Sequence, residues 1–191
     1  MPHQFQHLGP SGPYYQNGRP VDGVLGTMTV GSGITAGAAG GAVVNGVVTA
    51  EGALIKTTYV IDLTGLNSGG TDGDIIGFAD TANCHIGQWT TAVNGIYCRG
   101  MMSCAELVAG GEPDIDVYSA TEATGVEEAA VSGLTAVALL AAAADWTQGA
   151  VKPFTGILAP NKYLYLVASG GATNATYTAG KFVLELYGIR G

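Results

Sequence analysis

An all-β fold, an antiparallel β-sandwich of jelly-roll type with an extended Gly/Pro-rich N-terminal arm, is what this 191-residue sequence predicts. Three observations point there. Apolar and polar residues alternate over short runs, the period of a half-buried strand. Asn-Gly and Asp-Gly steps separate those runs, supplying the positive-φ residues that tight turns need. Glycine accounts for 31 residues, more than twice its usual share of about 7%, and each glycine inside a helix costs about 1 kcal/mol.

Taken in chain order, residues 1–53 read as the arm. They hold 12 of the 31 glycines, four of the seven prolines, and only Arg19, Asp22 and Glu51 as charges. Proline lacks the N–H that a sheet ladder needs, so Pro2, Pro10, Pro13 and Pro20 oppose any helix or central strand. Phe5, Tyr14 and Tyr15 stand among them as aromatics that need a partner surface. Val43, Val44, Val47 and Val48 flank Asn45-Gly46 as a small β-hairpin suited to pairing with a neighbour's edge. Ordering each backbone unit costs about 1–2 kcal/mol, so the arm is expected to order against an adjacent subunit. Deleting residues 1–50 is expected to leave a folded sandwich.

The sandwich is expected over residues 54–191. Within 55–63, Ile55, Tyr59, Ile61 and Leu63 share one face. Asp72-Gly73 reads as a turn and 74–79 as a short strand. Residues 86–93 read as one limb of a hairpin that turns at Asn94-Gly95 into 96–104. A strand is expected over 114–119, and a short helix followed by a strand over 121–144. Strands over 147–154, 162–168 and 181–187 complete the set. In the last, Phe182, Leu184 and Leu186 face inward while Lys181, Glu185 and Tyr187 face out.

Composition excludes whole classes of function. Seven Lys and Arg against 15 Asp and Glu leave a charge of −8, which repels a phosphate backbone or an anionic membrane. Neither nucleic acid nor membrane is therefore expected as a partner. Charged residues are 12% of the chain against a usual ~25%, which leaves a surface of Gly, Ala and Thr suited to cover by other subunits. Met1-Pro2-His3-Gln4 shows neither the basic nor the apolar region of a leader, so synthesis in a cytoplasm is expected.

Candidate chemical motifs each have an ordinary explanation. Gly31-Ser32-Gly33-Ile34-Thr35-Ala36 fits a dinucleotide fingerprint, with Glu51 where a ribose-binding acid would stand, but Gly37, Gly40, Gly41 and Gly46 oppose the helix it requires. Cys84, His85, Cys98 and Cys104 are zinc-ligand types without CxxC or HxxxH spacing. Cys98 and Cys104, six apart on one strand, are expected on one inward face, and all three cysteines as buried free thiols, with one bridge left open. Asp72, Asp74, Asp114 and Asp116 offer the hard oxygens that would hold Ca²⁺ between subunits, but a turn and a solvated strand face explain them equally. No metal or other cofactor is expected. There is no GxSxG elbow, and Cys84 and His85, as strand neighbours, point apart, so no enzyme is expected. Trp89, Tyr118 and Trp146 are the aromatics on which a glycan would stack.

Thr58-Tyr59-Val60-Ile61-Asp62-Leu63-Thr64-Gly65, Gly73-Asp74-Ile75-Ile76-Gly77, Gly110-Gly111-Glu112-Pro113-Asp114-Ile115-Asp116, Tyr163-Leu164-Tyr165-Leu166 and Thr178-Ala179-Gly180-Lys181-Phe182-Val183-Leu184-Glu185-Leu186-Tyr187-Gly188 form a set of strand and turn segments. Together they resemble virion structural proteins of marine tailed phages, of the kind infecting cyanobacteria and abundant ocean bacteria. The resemblance spans roughly residues 55–188 and leaves out the arm. It implies a particle component, and a small β-sandwich with an arm is similar to head decoration, or cement, proteins. The expected function is a homo-oligomeric, trimeric decoration protein on the capsid exterior that clamps neighbouring major capsid protein subunits. The alternative is a tail or collar fibre module binding host-surface glycans through Trp89, Tyr118 or Trp146. A glycan-cleaving virion enzyme with paired carboxylates ranks last.

Overall fold

The structure, a computed structural model, describes residues 15–16, 19–20, 23–35, 43–142, 144–170 and 173–190. The chain begins with β1 (Tyr15–Gln16), β2 (Arg19–Pro20) and β3 (Gly23–Thr27), then a one-turn helix α1 (Ser32–Thr35). A long hairpin follows, β4 (Val43–Glu51) and β5 (Leu54–Asp62), and then β6 (Asn67–Ser68). Next come β7 (His85–Trp89), a one-turn helix α2 (Thr91–Asn94), β8 (Ile96–Ala109) and β9 (Ile115–Ala120). A 3₁₀ turn at Val131–Gly133 leads to β10 (Ala136–Leu140), β11 (Val151–Pro153), β12 (Lys162–Ala168), β13 (Ala175–Thr176) and β14 (Ala179–Ile189). Six strands form one sheet in the order β11-β8-β14-β5-β4-β3 and four form a second in the order β10-β9-β12-β7. Every pairing is antiparallel, so the all-β antiparallel class read from the sequence holds.

The alternation is what builds the core. Tyr59, Ile61, Phe182, Leu184 and Leu186 from the six-stranded sheet meet Ile86, Ile115, Val117, Leu164 and Leu166 from the four-stranded one, all fully buried. The inward set expected for 55–63 and 181–187 is therefore correct, including Leu63 just beyond the end of β5. The two sheets differ on their outer sides. Residues 74–76 and 121–131 cover the back of the four-stranded sheet: Tyr165 donates its hydroxyl to Glu122 O at 2.7 Å, Gly125 N–H bonds to the Tyr165 hydroxyl, and Ile75 bridges to Val167.

Several sequence expectations fail for identifiable reasons. The arm boundary at residue 53 falls in the turn of the β4–β5 hairpin, so β3 and β4 belong to the six-stranded sheet. Val43, Val44, Val47 and Val48 lie on one continuous strand, and no hairpin forms at Asn45-Gly46, which pairs with Val60 and Tyr59. Gly46 is there for space: a Cβ would come within 2.7 Å of both Met28 Cβ and Tyr59 Cε1. The turn is made instead by Gly52, at φ +64°, the first residue of a two-residue loop. Phe5 and Tyr14 lie outside the described residues, and Tyr15 pairs with Pro20 in the β1–β2 ribbon.

Asn94-Gly95 likewise closes no hairpin. Asn94 ends α2, its Oδ1 accepting from Thr90 N–H at 2.9 Å, and the chain passes from the four-stranded sheet at β7 to the six-stranded sheet at β8. The strand expected over 74–79 is reduced to isolated bridges at Asp74, Ile75 and Gly77.

Two outcomes test this architecture. Leu184 is fully buried in register with Tyr59 and Met102, so Leu184→Ala should cost about 2–5 kcal/mol in chemical denaturation. Deleting residues 1–50 removes β3 and β4 and leaves the edge of β5 unpaired, so the product should melt lower and aggregate, reversing the expectation drawn from the sequence.

Candidate functional site

Among the described residues the outer side of the six-stranded sheet is open, and cross-strand register fixes what stands on it. Val151 pairs with Ser103, Ser103 with Val183, Val183 with Val60, and Val60 with Asn45. Residues directly opposite in antiparallel pairs share a face, so these five form one row across five strands. None is charged, and Val151 is 59% and Val60 49% exposed. One step along the strands lies a second row of Met101, Glu185, Thr58 and Val47, and a further step brings Arg99, Tyr187 and Lys56. On the other side of the valine row stand Glu106, Lys181 and Asp62.

The charges on this face are already paired within the chain. Lys56 bridges to Glu185, and burial only partly offsets the rise in the ammonium pKa that this carboxylate causes. Lys181 reaches Glu106 at 2.5 Å and Asp62 at 3.4 Å. Arg99 stacks 4.2 Å from the Tyr187 ring centre. The face thus has an uncharged centre between two borders whose charges are paired within the chain.

The acidic residues depart from the solvated strand face that alternation suggested. Asp114 and Asp116 do share a face of β9, the outer face of the four-stranded sheet, but both are buried, at 7% and 5% exposure, not solvated. Asp116 Oδ1 accepts from Ala142 N–H at 2.6 Å, whereas Asp114 Oδ1 has no partner among the described residues. Burial, reinforced by Asp116, pushes the Asp114 carboxyl above its ordinary range; burial also raises Asp116, against the Ala142 hydrogen bond. Asp72 is exposed, and Asp74 turns away to accept from Thr71 N–H at 3.0 Å. Among the described residues no three His, Cys, Asp or Glu side chains converge as a metal site requires.

The cysteines and His85 are likewise dispersed, and all three cysteines are free. Cys84 and Cys104 are buried as expected, but Cys98 is exposed. The cause is a bulge: Tyr187 pairs with Arg99 and Gly188 with Tyr97, which leaves Cys98 as an extra residue and reverses its face relative to Cys104. Cys84 donates to Thr81 O at 3.3 Å, and burial raises its thiol pKa. His85 lies against Tyr163, ring centres 4.8 Å apart, and burial lowers its pKa. The glycines of the dinucleotide pattern serve packing, since a Cβ on Gly31 would meet Asn83 O and one on Gly33 would meet Cys84 Sγ at 2.5 Å.

The expected glycan platform is overturned. Trp89 and Trp146 are both 1% exposed. Trp146 packs on Phe182 at 5.3 Å and donates from Nε1 to Ile115 O at 2.9 Å, and Trp89 packs on Tyr97 at 5.8 Å. Tyr118 is half-buried on the back of the four-stranded sheet, opposite Tyr165. An open groove of about 620 Å³ lies elsewhere, between Thr64, Asn67, Phe78 and Thr176. Its Thr176 hydroxyl is already spent on Asn67 Oδ1 at 2.7 Å.

The valine row escaped the sequence reading, although a signal was present: Val60 and Val183 occupy the polar phase of their strands. Comparison with protein-family models, curated proteins and solved structures finds no match.

The acidic pair generates a pH prediction. Both carboxyls bind their proton more tightly folded than unfolded, so ionisation costs stability above the folded pKa and costs nothing below the ordinary carboxylate range. Asp116→Asn keeps an oxygen for Ala142 N–H and removes the charge. It should raise Tm at neutral pH by about 2–4 °C, a gain that shrinks to nothing as the pH falls toward about 4. A lowered Tm at neutral pH would show that the charge strengthens the Ala142 bond by more than its burial costs.

Proposed function

We propose that the chain is a structural subunit of a virus particle, a decoration or cement protein on the capsid exterior that binds the major capsid protein and copies of itself. The open, uncharged row on the six-stranded sheet carries this reading, because an exposed apolar middle with a polar rim suits a flat protein partner.

Strand order lends support. Eight strands in chain order, β5, β7, β8, β9, β10, β11, β12 and β14, pair first with last, second with seventh, third with sixth and fourth with fifth. That is one long hairpin, rolled so that β14 also meets β8 and β12 also meets β9. We read it as a jelly roll, an architecture shared by viral capsid and lectin domains, extended by β3 and β4 at one edge. Low charge and the resemblance of residues 55–188 to phage virion proteins point the same way. With both tryptophans in the core, the glycan-binding fibre alternative loses two of the three aromatics that recommended it.

Quantifying the protein in purified particles against the major capsid protein tests the proposal. A decoration protein should be present at a comparable copy number and be removable without opening the shell. A few copies per particle, or none, would overturn the capsid assignment.

A further inference from the structure

We propose that the outer face of the six-stranded sheet binds the same face of a second copy of this chain, about a two-fold axis that runs along the Val183–Val60 row. The inference rests on reading this face as the contact surface and names its occupant.

Charge arrangement is the first support. On one side of the row stand Glu106, Lys181 and Asp62, two carboxylates against one ammonium. On the other stands Glu185, with Lys56 and Arg99 one row further out. A two-fold axis along the row exchanges the sides, so the row of Glu106, Lys181 and Asp62 in one copy lies over the row of Met101, Glu185 and Thr58 in the other, which sets an ammonium against a carboxylate at Lys181 and Glu185. An axis along the strands would set like borders together.

The match extends to single residues. Lys181 and Glu185 lie on β14 at equal distances either side of Val183, so the operation places Lys181 of each copy over Glu185 of the other. Within one chain they are four strand residues apart, roughly 13 Å, and do not meet. The uncharged row falls on the axis, where each side chain faces its own copy and a charge would be repelled by itself.

Size is the second support. Five strands at about 4.8 Å spacing and the three rows that overlap at about 6.8 Å spacing give roughly 490 Å² per copy, or about 980 Å² in total, close to the roughly 1,000 Å² at which specific interfaces begin. Aligned packing of two such sheets across about 10 Å is a standard arrangement.

Sedimentation velocity on the purified full chain over a concentration series tests this. The parent should show a monomer–dimer equilibrium. Val60→Lys, with its fold checked by an unchanged cooperative melt, should raise the dimer Kd by about tenfold or more. Lys181→Glu and Glu185→Lys should each weaken the dimer, and the K181E/E185K double variant should recover much of the loss, since the swapped charges meet only between copies. A monomer at every concentration, a trimer, a Val60→Lys variant that dimerises as tightly as the parent, or a double variant no tighter than either single one would overturn the proposal. The assay contains no capsid, so a dimer that fails to decorate particles would sink the virion reading alone.

Discussion

The register of β14 decides both the inside and the outside of this molecule. It pairs with β5 from Lys181 opposite Asp62 to Ile189 opposite Leu54, and on its other side with β8. Side chains alternate with a period of two, so the register that sends Phe182, Leu184 and Leu186 into the core also sets Lys181, Val183, Glu185 and Tyr187 on the open face. A slip of one residue would drive Lys181 and Glu185 between the sheets, and burying an ion costs several kcal/mol even after relaxation. Surface ion pairs are weak singly, yet Lys56 with Glu185 and Lys181 with Asp62 both span β14 and β5 in the one register that allows them.

Much of the fold was legible because alternation is a local signal. The segment 162–168 was read with the bounds of β12, and the inward residues of 55–63 and 181–187 need only the period of two. Glycine was where sequence reasoning misled. Asn45-Gly46 and Asn94-Gly95 look like hairpin turns, but Gly46 makes room for Met28 and Tyr59, while Gly95, at φ +76°, leaves a one-turn helix beneath Ile189. A glycine serves positive φ or close approach, and only the partner strand reveals which. The bulge at Cys98 is equally silent in sequence, since an extra residue shows only against the register of β14.

The candidate contact surface was less legible for a related reason. Each of its residues comes from a different strand, so no window of sequence contains the row. The acidic pair shows the converse error: Asp114 and Asp116 alternate like a solvated face, yet the segment after β10 folds over them. Asp116 tethers Ala142, Lys152 donates to Ala142 O and Ala144 O, and Trp146 docks on Ile115 O. Asp116 and Lys152 thus fasten the link from β10 to β11 that crosses from one sheet to the other.

What the sheets do at their edges sharpens the case for contact through a face. An unpaired edge invites open-ended strand addition, which would polymerise a chain as poor in charge as this one. Each described edge is blunted. Residues 31–33 lie along the β7 edge, with Gly31 N–H donating to His85 O and Gly33 N–H to Asn83 O. Thr155 and Gly156 donate to Leu139 O on β10. β11 is three residues long and ends in Pro153, which has no N–H to offer, and β3 is broken by a bulge between Val24 and Gly26. With these edges blunted and the back of the four-stranded sheet covered, the broad open surface among the described residues is the outer face of the six-stranded sheet. A face, unlike an edge, is used up by one partner, so association through it closes instead of growing.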